Sequence, residues 1–423
     1  MSTATLATIA TLALHPAQAA EPLKMAVVTF LTGAGAGPYG VPARNGAEVV
    51  LEAINKGALP APYDTAGFGG RQAAFEFVDE SGGNAKVVSE YRNLVQRRGM
   101  DVVLGYISSG SCLAMADDAE ELKTLTVFGI CGTPRIFEEK ARKYIFRPMS
   151  HGTADGIAAA RFAREHMPDL KTYSGINQNY AFGQDSWRDF TLAMADLTGA
   201  TVSDKPQWPK IFQGQYTAEI SALSLDRPEL VFSSLWGGDL ESFILQGGAR
   251  GLAASTQLLL TIGGETQYRL GDKMPDDVML ADRGPYGILV AHRETALNTW
   301  FRETYKARFG GWPSGSAYKF AQAVLATKVA YDKAAAAGST ETEAVIKAFE
   351  GLSFESFSTT VDMKLAGGHQ GVTEHVLGLT KFDAATGEAG VTDVTFFPAT
   401  CVMPPDDTPS VEWIEKGMPG AVC

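Results

Sequence analysis

The chain has 423 residues, a formal net charge of -12 and a hydrophobic fraction of 45%. That length exceeds one average domain and points to two or three domains, or two lobes sharing the chain. The excess of acid excludes a nucleic-acid binder, which needs a basic stripe, and disfavours docking on an anionic membrane surface.

The first residues read MSTATLATIATLALHPAQAAEPLK. Ala4 to Leu14 is apolar but too short to span a bilayer, and Ala17-Gln18-Ala19 is a small-x-small cleavage site. This predicts a signal peptide over residues 1–20, cleaved near Ala19/Ala20, and a periplasmic location. No Lys or Arg precedes the apolar run, unlike the usual signal, which leaves the true translation start open. No later stretch reaches about 18 consecutive apolar residues, so no transmembrane helix is expected.

Strand and helix patterns then alternate. LKMAVVTF predicts a strand, ARNGAEVVLEAINKG a helix ending at Gly57, QAAFEFVDE a strand and NAKVVSEYRNLVQRRG a helix ending at Gly99. MDVVLGYI, SCLAMADDAEELK and TLTVFGI continue as strand, helix and strand. The alternation restarts with GTADGIAAARFAREHMP as a helix and KTYSGINQ as a strand, followed by FGQDSWRDFTLAMADLTG as a helix. ATVSDKPQWP, ELVFSSLW and TQLLLTIG are further strands, separated by TAEISALSLDRP and DLESFILQGGARGL as helices. Helical patterns over Thr295–Gly310, Ala317–Ala337 and Glu341–Glu350 precede a β-rich, Gly-rich stretch. The fold class is therefore α/β: two doubly wound, Rossmann-like lobes with a ligand cleft between them. Open α/β sheets bind ligands beyond the carboxyl ends of their strands, and two facing sheets can close by hinge bending.

Several chemical motifs fail on inspection. GAGPYG, Gly35 to Gly40, matches G-x-G-x-x-G, but the candidate ribose-binding acid, Asp79, is far beyond the required 20 or so residues. Pro38 and Pro42 also remove N–H groups from the loop. GYISSGSCLA lacks a G-x-S-x-G elbow, so Ser108, Ser109 and Ser111 have no nucleophile frame. His369 and His375 are wrongly spaced for a zinc helix, and no P-loop is present. No metal site, cofactor or catalytic residue is predicted.

What remains are residues that follow strand ends. Ser109, Gly110 and Ser111 open a helix whose free N–H groups suit a carboxylate without help from an arginine. GICGTPRIF offers a similar loop. Tyr39, Tyr180, Phe182, Trp236 and Glu265 fall at other strand ends. Phe182 and Trp236 are equally readable as core, and Glu265 as a helix cap. Four cysteines, Cys112, Cys131, Cys401 and Cys423, allow three pairings. Neighbouring strand ends favour Cys112–Cys131, and a Pro/Gly-rich tail favours Cys401–Cys423.

Taken in order, these segments resemble a known family. MAVVTFLTGAGAGPYGVPARNGAEVVLEAIN, DVVLGYISSGSCLAMADDAEE, VFGICGTPRIF, NYAFGQD and LVFSSLWGGDLESFILQGGARGL resemble the type I periplasmic solute-binding proteins of ABC transporters. The branch they resemble binds leucine, isoleucine and valine. The resemblance implies that Ser109, Gly110 and the Ile130–Gly132 loop hold a carboxylate. It implies that Glu265 holds an ammonium and that Tyr39, Phe182 and Trp236 supply aromatic contacts. Three positions depart from the pattern. Cys131-Gly132 lacks a hydroxyl, Gly110 replaces a second serine, and Phe182 stands where tyrosine is common. These make the pocket more apolar.

The resulting expectation is a monomeric, non-enzymatic component of an ABC importer, working with a permease and ATPase complex at the inner membrane. It captures a small amino acid or related carboxylate, including an aromatic acid or amide. Alternatives are a ligand sensor of the same fold, or a nucleotide-dependent enzyme using Gly35–Gly40. Three hinge crossovers near Ser150, Ala281 and Phe357 divide the mature chain. Lobe 1 comprises 21–150 and 282–357, lobe 2 comprises 151–281 and 358–400, and 401–423 is a tail.

Overall fold

The computed structural model describes residues 21–423, so the expected signal peptide lies outside the described residues. The first sheet contains β1 (Leu23–Thr29), β2 (Ala73–Asp79), β3 (Val102–Gly105), β4 (Leu125–Phe128) and β5 (Ile145–Phe146). Its order is β2-β1-β3-β4-β5 and every pairing is parallel. β3 and β4 are buried at every position, which is why their sequences run apolar instead of alternating.

The second sheet collects β6 (Thr172–Ile176), β7 (Thr201–Val202), β8 (Leu230–Ser233), β9 (Gln257–Leu260) and β10 (Met279–Ala281), all parallel. The chain then returns to the first lobe. Helices Ala296–Phe309, Gly315–Ala336 and Thr342–Phe349 share one core with helix Val41–Lys56 and strands β1, β3 and β4. A small antiparallel sheet follows, built from β11 (Ser353–Glu355), β12 (Thr360–Leu365) and β13 (Gln370–Val372). Finally β14 (His375–Asp383) and β15 (Glu388–Phe397) add antiparallel to β10, giving the order β15-β14-β10-β9-β8-β6-β7. The fold is thus the two-lobed α/β arrangement, with the chain crossing between sheets after β5, β10 and β13.

Two segments differ from their sequence reading. ATVSDKPQWP forms only the two-residue β7 and one further bridge, Ile176 with Gln207. Pro206 and Pro209 lack the N–H a longer ladder needs. GAGPYG forms a single wide helical turn, Ala36–Gly40, that runs straight into helix Val41–Lys56. Gly40 packs on the Phe30 carbonyl so closely that any side chain would strike it. The turn serves close approach of the chain, and its Gly40 N–H is spent on the Gly35 carbonyl.

The C-terminal residues are ordered. Helix Ser410–Glu415 places Trp413 in the second lobe's core, among Phe162, Met194 and Met403. Cys401 pairs with Cys423, and Cys112 with Cys131.

Candidate functional site

Loops from the carboxyl ends of the parallel strands of both sheets meet around a nearly filled cleft, with a cavity volume of about 10 Å3. From the first lobe come Tyr39 after β1, Ile107 and Ser109 after β3, and Ile130 and Gly132 after β4. From the second lobe come Tyr180 and Phe182 after β6, Trp236 after β8, Ile262 after β9 and Arg283 after β10. That space is about the size of one water, so with the lobes in this arrangement a solute enters only when they part.

Seven of the residues singled out in the sequence therefore share one cleft: Tyr39, Ser109, Ile130, Gly132, Tyr180, Phe182 and Trp236. Trp236 is the centre of the aromatic wall. Its ring meets Tyr39 edge-on at 5.4 Å and Phe212 at 5.2 Å. Its indole N–H donates to the Tyr180 hydroxyl at 2.8 Å, which fixes both rings.

Gly110 and Glu265 lie outside that lining. Gly110 is already one residue into the helix Ser109–Glu121. Glu265, on the helix Gly264–Leu270, is buried against the other lobe. It accepts a hydrogen bond from Ser316 at 2.9 Å and lies 3.8 Å from the Lys319 ammonium. Lys319 also pairs with Asp282 at 2.7 Å. Burial and the Asp282 charge push the Glu265 carboxyl upward, against the pull of Lys319. Glu265 Oε1, which Lys319 faces, has no hydrogen-bond partner among the described residues.

The N–H groups of Ser109, Gly110 and Ser111 open the helix Ser109–Glu121, whereas those just before it and in the Ile130–Gly132 loop are largely engaged. The buried carboxylate of Glu80 accepts from Ile107 N–H at 2.8 Å and from Ser108 N–H at 2.9 Å. Burial raises that carboxyl to about 7, although these two donors pull the other way. Ile130 N–H donates to the Tyr106 carbonyl, and the N–H groups of Gly132 and Thr133 donate to Ser109 Oγ at 3.1 Å. Ser109 and the Cys112–Cys131 bridge together tie the two first-lobe loops.

Arg283 is the cation in the lining, and sequence reasoning passed it over. It follows β10, is 3% exposed, and has φ of +43°, a conformation that L residues rarely adopt. Its Nε donates to Asp155 Oδ2 at 2.9 Å, and its Nη1 donates to the Ile130 carbonyl. His375 on β14 engages the other Asp155 oxygen at 2.8 Å. The guanidinium lies 4.6 Å over the Phe182 ring. Burial opposes its charge, but Asp155 outweighs that and keeps it protonated. Gly132 makes room for it: a Cβ there would fall 2.5 Å from Nη2 and 2.7 Å from the Phe182 ring. Only the ADRGP segment signals Arg283, as a basic residue just past an apolar strand. Asp155 and His375 come from distant parts of the chain.

Among the described residues no group of three or more His, Cys, Asp or Glu could hold a metal ion. No helix among them is long and apolar enough to cross a membrane. A periplasmic binding protein family model matches residues 22–387. No curated protein matches the chain. Solved structures with the same fold include an ABC-transporter solute-binding protein from R. palustris in complex with benzoate. It has 19% identity and a TM-score of 0.75, covering 88% of this chain and 96% of that one. An amino acid ABC transporter substrate-binding protein from Pseudomonas fluorescens Pf-5 has 19% identity and a TM-score of 0.75, with coverage of 94% and 99%. A leucine binding protein from Thermotoga maritima has 18% identity and a TM-score of 0.72, with coverage of 88% and 98%.

Proposed function

Because the chain belongs to the periplasmic binding protein family, we propose that it captures a small monocarboxylate lacking an α-ammonium, of aromatic or branched apolar body, and delivers it to an ABC permease. It is a binding protein, not an enzyme. The single observation that carries the ligand class is the pairing of an available guanidinium, Arg283, with an acid withheld by Lys319. Nε and Nη1 of Arg283 are used internally, which leaves Nη2, beside Gly132, to meet a carboxylate. The Ser109 hydroxyl accepts two N–H groups and keeps its own proton to donate. Tyr39, Phe182 and Trp236 cover the apolar body.

Neighbouring folds bind such solutes: the R. palustris structures hold benzoate and hydroxylated benzoates. The leucine and amino acid binders of similar fold keep the amino-acid reading in the test. The eight ligand-binding residues expected from the sequence separate under this proposal. Six form the cleft wall, Gly110 supports the helix start, and Glu265 becomes a contact between lobes.

Titration calorimetry of the mature protein against benzoate, 4-hydroxybenzoate, 3-methylbutanoate, leucine and phenylalanine tests the proposal. The acids without ammonium bind and the amino acids do not. Arg283→Gln loses a charge-assisted contact of about 1.5–3 kcal/mol, roughly 10–150-fold in affinity. Leucine binding as tightly as any of the plain acids would overturn the ligand class.

A further inference from the structure

A second pocket, with a cavity volume of about 240 Å3, lies behind the cleft where the first crossover, β13 and the C-terminal segment meet. We propose that it is a binding site for a small monovalent anion, held by the guanidinium of Arg147 and the imidazole of His151.

Arg147 follows β5 and is completely buried. Its Nε donates to Gln370 Oε1 at 2.6 Å, and its Nη1 donates to the carbonyls of Cys131 and Thr133, both at 2.7 Å. Nη2 has no hydrogen-bond partner among the described residues. No Asp or Glu of the described residues lies within ion-pair distance of this guanidinium, unlike Arg283, which has Asp155. Buried charges are ordinarily paired, because an uncompensated one carries a desolvation cost. Burial pushes Arg147 down to about 9, and Arg283 adds to that shift.

The rest of the pocket suits one small negative charge. Phe137 lies under the guanidinium at 5.5 Å, and Pro134, Leu365 and residues 404–409 wall the space. The His151 Nδ1 accepts from Thr153 N–H, which places the ring proton on Nε2. Burial, with Arg147 and Arg283 nearby, lowers His151 and keeps it a neutral donor. Three carboxylates face the space and disfavour a multivalent anion. Glu138 accepts from the Ser410 N–H and hydroxyl, and burial raises its carboxyl toward the neutral form. Asp406 accepts from the N–H groups of Ala366 and Asp407 at the mouth, where Asp407 is exposed.

The location gives such a site leverage. Arg147 holds the two carbonyls flanking Gly132, which lines the main cleft, and through Gln370 it holds β13, the last element before the third crossover. An anion on Nη2 would brace the back of the ligand-binding loop.

Two measurements on the mature protein test this. In crystals grown with sodium bromide, an anomalous peak is expected within hydrogen-bond distance of Arg147 Nη2. An ordered water there without anomalous signal overturns the site. In solution, sodium chloride is titrated against sodium gluconate at matched ionic strength. Above the dissociation constant, chloride raises the unfolding midpoint by about 1–2 °C per tenfold. Equal responses to the two salts overturn the proposal. Arg147→Gln abolishes the chloride-specific rise, and an unchanged rise in that variant also overturns it. Should Arg147→Gln fail to fold, the bromide position in the wild-type protein decides.

Discussion

The hydroxyl of Ser109 accepts two backbone N–H groups from the neighbouring loop and has one proton left to give. Its position at a strand end was readable from the sequence, but its partners were not. The same holds for Glu80, which ends the FEFVDE run and closes over the N–H groups of Ile107 and Ser108. Burial raises Glu80 to about 7, above its unfolded value. Its contribution to stability is therefore fully present below pH of about 4.5 and is lost as pH rises through about 7. The difference is of the order of 3 kcal/mol. Thermal midpoints of wild type and Glu80→Gln, measured from pH 4.5 to 8.5, test this. The wild type falls across that window relative to the variant, and parallel curves would refute the assignment. Arg283 and Glu265 each acquire a charged partner from remote sequence: Asp155 for the first and Lys319 for the second.

At the scale of elements, helices with strong end signals fall close to their sequence boundaries. Thr295 caps Ala296–Phe309 by accepting from Asn298 N–H, and Gly310 ends that helix in the left-handed conformation. Gly57 ends Val41–Lys56 in the same way. The C-terminal segment lacked such signals, since its Pro and Gly content reads as loop. Tertiary packing organises it instead: Trp413 is buried, its indole N–H donates to the Pro419 carbonyl, and the 401–423 bridge closes the segment. Replacing Cys401 and Cys423 together by serine should lower stability by about 3 kcal/mol in the chain-entropy model. Urea unfolding measures it. The same segment walls the Arg147 pocket, so that double variant should also weaken the chloride-specific midpoint rise.

Considered as a whole molecule, the two lobes touch through polar contacts on both sides of the cleft. Thr133 donates to Asp185 at 2.6 Å, and Arg135 pairs with the same carboxylate at 2.6 Å. Ser316 and Lys319 reach across to Glu265. These contacts exist only when the lobes are together, so they bias the open–closed equilibrium. Asp185→Ala should shift the unliganded protein toward the open form. A larger radius of gyration by small-angle scattering is expected, with benzoate affinity down about tenfold or more, because the binding-competent fraction falls. An unchanged radius together with unchanged affinity would show that Asp185 does not act as a latch.

The sequence by itself determined the alternation of strands and helices, the parallel strands of both sheets, and the strand-end placement of Tyr39, Ser109, Phe182 and Trp236. Those follow from periodicity, buried-strand composition and the rule that open α/β sheets use their carboxyl edges. Only the tertiary structure decided which charges are available. Arg283 faces the cleft with Asp155 and His375 behind it, and Lys319 lies across from Glu265. Arg147 is buried without a carboxylate partner because three crossing segments enclose it. Charge pairing depends on distances between residues far apart in the chain, and no local pattern encodes those distances.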